Sequence, residues 1–162
     1  PDKYGVKFWM LVDVKNKYIV NSFPYLGKDE QRPANIQLSE HVVLQLVQPF
    51  LHTGLHITCD NFFTSLHHAR ELKKNQISLL GTVRSNRREV PASVRCKNNE
   101  LYSTTLLKTE DDITLTAYQC KKNKNVLILS SLHSDVCVMS DHKRRNRKLF
   151  SSTRNRKLEL IL

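Results

Sequence analysis

The chain has 162 residues, 40% of them apolar, with one tryptophan and six phenylalanines, which suffices for one domain with a real core and excludes wholesale disorder. No run of 18 apolar residues occurs, so a conventional membrane-spanning helix is excluded, and the start, Pro1-Asp2-Lys3-Tyr4, lacks the layout of a signal peptide; the chain reads as intracellular or as a piece of a longer protein. The net charge of +11 suggests a nucleic-acid partner, but residues 1–142 carry 18 Lys+Arg against 14 Asp+Glu while the last twenty carry 8 against 1, so most of the basicity is one tail.

In chain order, Lys7-Phe8-Trp9-Met10-Leu11-Val12-Asp13 reads as a central strand that closes on an aspartate. Val14-Lys15-Asn16-Lys17 makes a turn, and Tyr18 to Phe23 returns as the second strand of a hairpin. Pro24 to Pro33 is polar and turn-rich, a surface loop. Ser39 with Glu40 opens a helix whose apolar residues Val42, Val43, Leu46, Val47 and Phe50 fall at helical spacing. Leu55 to Cys59 is a short strand ending on Asp60, the second strand tip with a carboxylate, and tips of this kind are where α/β proteins place metal-binding or catalytic groups.

A helix with a basic outer face follows from Ser65 to Asn75, and Ile77 to Val83 is the next strand. The order β-β-α-β-α-β favours a mixed sheet with helices packed on it. Residues 90–132 show no helical pattern and contain three strand candidates, at Leu101–Leu107, Ile113–Tyr118 and Val126–Ser130. The acidic run Thr109-Glu110-Asp111-Asp112 between two of them reads as a solvated turn. The cysteines at 59, 96, 120 and 137 show no Cys-x-x-Cys spacing and read as reduced core residues, so no zinc is expected. His52, His56, His67 and His68 read as surface or packing residues.

Five stretches then line up: Tyr4-Gly5-Val6-Lys7 into Met10-Leu11-Val12-Asp13; Asn21-Ser22-Phe23-Pro24-Tyr25-Leu26-Gly27; Ile57-Thr58-Cys59-Asp60-Asn61-Phe62-Phe63-Thr64-Ser65; Gly81-Thr82-Val83-Arg84-Ser85-Asn86-Arg87-Arg88-Glu89-Val90-Pro91; and Leu127-Ile128-Leu129-Ser130-Ser131. In that order they resemble the catalytic core of the piggyBac DNA transposases and their domesticated derivatives, through about residue 142. The resemblance implies an RNase H-like core over 1–89, a β-rich insertion over 90–125, and a strand over 126–142 that returns to the core. It implies two magnesium (or manganese) ions held by three aspartates, of which Asp13 would be the first and Asp60 the second. Paired hard cations of that kind activate the attacking oxygen and stabilise the leaving one during phosphoryl transfer. It further implies DNA as partner, cut and rejoined at TTAA, a homodimer, a nuclear location, and phosphate contacts from Lys73, Arg84, Arg87 and Arg88.

The third aspartate should follow in a Gly-Val-Asp motif, yet residues 143–162 hold none. Plausible codons for this tail, read in the neighbouring frame, give Lys-Pro-Glu and then Gly-Val-Asp. The tail is therefore expected to be frame-shifted family sequence, disordered or opportunistically helical, and the chain is expected to be an inactive core fragment. The alternative is a domesticated DNA-binding or protein-interaction module. An unrelated nuclease would need Asp135 or Asp141 as its third carboxylate. The nucleotide sequence beyond the codon of His142 decides the frame question.

Overall fold

The computed structural model describes residues 5–27, 32–95 and 100–133, and the backbone of residues 159–161. The elements are β1 (Phe8–Asp13), β2 (Ile19–Pro24), α1 (Leu38–Val47), a 3-10 turn (Gln48–Phe50), β3 (His56–Cys59), α2 (Leu66–Lys74), β4 (Ser78–Val83), α3 (Ala92–Arg95), β5 (Thr104–Lys108), β6 (Thr114–Lys121), β7 (Lys124–Ser130) and β8 (Glu159–Ile161). The eight strands form one mixed sheet in the order β2-β1-β8-β3-β4-β7-β6-β5.

Alternation along the strands selects the buried face. Leu11 on β1, Ile57 and Cys59 on β3, and Leu79 and Val83 on β4 are all buried, and α1 and α2 cover them with Val42, Val43, Leu46 and Val47 from one helix and Ala69 and Leu72 from the other. The helices meet where Ser65, the N-cap of α2, accepts from the His68 backbone N–H and donates to Glu40 of α1 at 3.1 Å. That cap satisfies one of the orphan N–H groups of the first turn. Pro49 lies at the start of the 3-10 turn Gln48–Phe50 that follows α1, where a residue without an N–H is tolerated. On the other face, Phe8 and Met10 stay exposed and Leu80 is half-buried, with no helix over them among the described residues.

The strand-rich part joins the same sheet. β4 pairs antiparallel with β7, β7 with β6, and β6 with β5. Two features differ from the sequence reading. A single helical turn, α3, stands at Ala92–Arg95, too short for periodicity to reveal. More consequentially, Glu159–Ile161 of the tail is not irregular: β8 lies between β1 and β3, antiparallel to the first and parallel to the second. Leu158-Glu159-Leu160-Ile161-Leu162 is the one mainly apolar stretch of the tail, and the gap between β1 and β3 offers it unpaired backbone donors and acceptors on both sides. The rest of the tail, with Cys96, Asp135, Cys137 and Asp141, lies outside the described residues.

Candidate functional site

β8 fixes the relative direction of the two aspartate-tipped strands. Because it runs against β1 and along β3, β1 and β3 run opposite ways. Val12 and Thr58 both pair with Ile161 and so share one level of the sheet. Asp60 lies two residues beyond Thr58 in one direction, and Asp13 one residue beyond Val12 in the other. Their Cα atoms are therefore separated by about 10 Å along the strands and about 9.5 Å across them. The structure does not bring Asp13 and Asp60 together, and the expectation that both strand tips converge fails on strand polarity.

Asp13 is already engaged. It is buried, one carboxylate oxygen accepts from the Lys15 backbone N–H at 3.0 Å, and the other accepts from Asn16 Nδ2 at 2.7 Å. The backbone closes the same turn with Lys17 N–H donating to the Asp13 carbonyl, Lys17 itself sitting at φ 59°. An aspartate that folds over its own turn is a structural device.

Asp60 is the reverse case. It is exposed, one oxygen accepts from the Phe62 N–H at 2.8 Å, and its other oxygen meets no group among the described residues. Its turn is held from three sides. Thr64, fully buried, donates its hydroxyl to the Asp60 carbonyl at 2.7 Å. Gly81 on β4 lies so close that a Cβ there would stand 2.2 Å from Thr64 Oγ1 and 2.6 Å from the Cys59 carbonyl. Trp9 of β1 stacks parallel to Phe62 at 6.3 Å and edge-on to Phe63 at 5.6 Å, with Lys7 Nζ 4.0 Å above its ring, a geometry in which the ring face attracts the ammonium. Burial, with the Asp60 carboxylate beside it, pushes the Cys59 thiol well up, so that cysteine is an inert core residue.

The arginines divide. Arg84, at the exit of β4, donates Nε to Asn61 Oδ1 at 2.8 Å, and Arg87 donates to the Phe62 carbonyl at 3.2 Å. Arg88 is exposed in the same turn. Sequence reasoning missed Arg95, which donates to the carbonyls of Val90 and Arg87 at 2.9 Å each and so fixes the loop carrying the three. Lys73 is elsewhere: it lies at the far end of α2, where it donates to the Asp111 carbonyl while Arg70 pairs with the Asp111 carboxylate at 2.6 Å. The acidic run is a turn, as expected, and it is matched by lysine and arginine, with Asp112 held by Lys108 at 2.8 Å.

No group of three or more His, Cys, Asp or Glu able to hold a metal ion occurs among the described residues. Among the described residues the carboxylates at that end, Asp60 and Glu89, belong to no cluster able to hold a metal ion, so the donor set does not fit a pair of divalent ions. No helix of the described residues is long and apolar enough to cross a membrane.

Mixed sheet and covering helices place the chain among the α/β folds, and a family model described as transposase IS4 matches residues 1–161. The chain belongs to that family. Within it, the chain is similar to the piggyBac transposase solved by cryo-EM as a synaptic complex with hairpin DNA, at 32% identity and a TM-score of 0.79. The match covers 92% of this chain and 31% of that one, and is consistent with the RNase H-like core expected from the sequence.

Proposed function

We propose that this chain is a transposase-derived DNA-binding fragment that engages the phosphate backbone at the Asp60 end of its sheet and does not by itself complete phosphoryl transfer. The observation that carries the reading is the grouping of Arg84, Arg87 and Arg88 around the turn that presents Asp60, in a chain whose solved relative is described with hairpin DNA. Guanidinium groups suit phosphate oxygens because they offer paired donors and keep their charge. Asp60 keeps one carboxylate oxygen unpartnered among the described residues, and by itself it does not hold the magnesium or manganese pair that the resemblance implies. Asp13 would serve the hairpin turn alone. The TTAA preference, the pairing of two copies and the nuclear setting implied by the resemblance belong to the same proposal.

The test is fluorescence anisotropy with a TTAA-ended duplex across a salt series. The eight Lys/Arg of residues 143–157 are first neutralised by substitution, because deleting the whole tail would also remove β8. Salt-sensitive binding that survives this and weakens severalfold in Arg84→Ala supports the reading. Loss of all binding on neutralising the tail overturns it. Turnover of the same DNA by this chain alone with Mg2+ or Mn2+ would overturn the non-catalytic part.

A further inference from the structure

The hairpin joining β6 to β7 projects at the same end of the sheet as Asp60. The register shows this directly: Ala117 pairs with Leu127, and Leu127 with Val83, so residues 119–125 extend past the end of β4 on the side where Arg84 emerges. Lys121, Lys122, Asn123 and Lys124 at the tip are all exposed. Between this tip and the Asn61–Arg84 pair runs a groove of about 430 Å3, lined on one wall by Asn61 and Arg84 and on the other by Asn123, Lys124 and Asn125. None of its lining residues is acidic.

The tip is also pre-shaped. Gln119, nearly fully buried, donates Nε2 to the carbonyls of Lys121 at 2.7 Å and Lys122 at 3.2 Å, and Asn125 donates to the Val94 carbonyl at 2.9 Å. The backbone is held from inside while the ammonium groups stay in solvent. A flexible lysine loop would lose more entropy on binding; one whose backbone is already fixed loses less.

We infer that the β6–β7 hairpin tip is a second DNA-contacting element, and that the groove between it and Arg84 seats the sugar-phosphate backbone of a DNA strand running past Asp60. This rests on the DNA-binding reading above and adds a wall that local composition does not single out. Lysines here act as point charges on phosphates and carry no base specificity. Asn61 and Asn123 add neutral donors for the same oxygens.

The experiment uses the full chain and a 20-base-pair duplex, measured by anisotropy from low to moderate salt. Lys122→Ala/Lys124→Ala is compared with a charge-matched control, Lys15→Gln/Lys17→Asn, at the β1–β2 turn on the opposite end of the sheet; asparagine suits the positive φ of Lys17. The inference expects the hairpin variant to weaken binding about tenfold and to lower the salt slope by about 1 to 2, roughly 1 per lost phosphate contact, while the control stays near the parent. Equal effects in the two variants, or no effect in the hairpin variant while Arg84→Ala weakens binding, would overturn the groove and leave the DNA-binding reading standing. Absence of DNA binding by the parent chain overturns both. Circular dichroism melts of the variants separate lost contacts from lost fold.

Discussion

Asp13 and Asp60 look alike in the sequence: each ends a short apolar strand and each is followed by a turn. In the structure they are opposites. Asp13 is buried with both oxygens occupied by its own turn, while Asp60 is exposed, one oxygen steadying its turn and the other available. Around Asp13 stand turn residues and the start of β2; around Asp60 stand Asn61, Arg84, Arg87 and the lysine hairpin. A carboxylate at a strand tip is thus not a site until its free lone pairs and its neighbours are known.

The strongest way to break this contrast is Gly81→Ala. Its new methyl would meet Thr64 Oγ1 and the Cys59 carbonyl, the latter a backbone atom inside β3, so the strain has no flexible outlet. We expect a loss of about 3 kcal/mol, the upper end of ordinary overpacking, read as a lower urea midpoint. Weakened DNA binding should accompany it, because Thr64 tethers the Asp60 turn. Next in size, Asp13→Ala should cost about 1–3 kcal/mol, since it strands the Lys15 N–H and Asn16 Nδ2 in a partly buried turn, and should leave DNA affinity unchanged in whatever fraction stays folded.

His68 sharpens the picture of what holds the Asp60 turn from behind. It is fully buried, its Nδ1 lies 2.9 Å from the Phe63 carbonyl, and its Nε2 has no partner among the described residues. Burial lowers its pKa, partly offset by that carbonyl. The unfolded state therefore binds the proton more readily, so stability is full above the ordinary histidine range near 6.5 and falls as pH drops below it, by at most about 1.4 kcal/mol per pH unit. Urea midpoints from pH 7.5 to 5.5 should fall more in the parent than in His68→Leu. The smallest stability change belongs to Asp60→Asn, within about 0.5 kcal/mol for an exposed side chain. That substitution should nevertheless tighten DNA binding severalfold in the absence of divalent ions, by removing a negative charge from the binding end; Asp13→Asn should not.

Much of the fold was legible because hydrophobic period and cap chemistry agree over most elements. Val42, Val43, Leu46 and Val47 form one buried helix stripe, and Ser65 caps α2 through its side chain. Strand boundaries shifted by one to three residues, as in β5, which starts at Thr104 rather than Leu101. What could not be read was polarity. Which way β1 runs relative to β3 depends on a third strand contributed by residues about a hundred positions away, and local pattern is silent on such pairing. The Asp60–Arg84 half of the site followed from resemblance, whereas Lys73 was misplaced because a basic helix face does not say at which end of the sheet it lies. Lys124 went unnoticed because a lysine-rich hairpin tip has the composition of any solvated turn.

On the DNA-binding proposal, the working end of the molecule is the one that bears Asp60, Arg84 and the β6–β7 tip. Backbone amide shifts recorded while a short duplex is titrated into the labelled chain test it most directly. Perturbations are expected at Asn61, Phe62, Arg84 to Arg88 and Lys121 to Asn125, with Val14 to Lys17 and Lys73 unmoved. Shifts centred on Asp13 and its turn, or confined to residues 143–157, would contradict it.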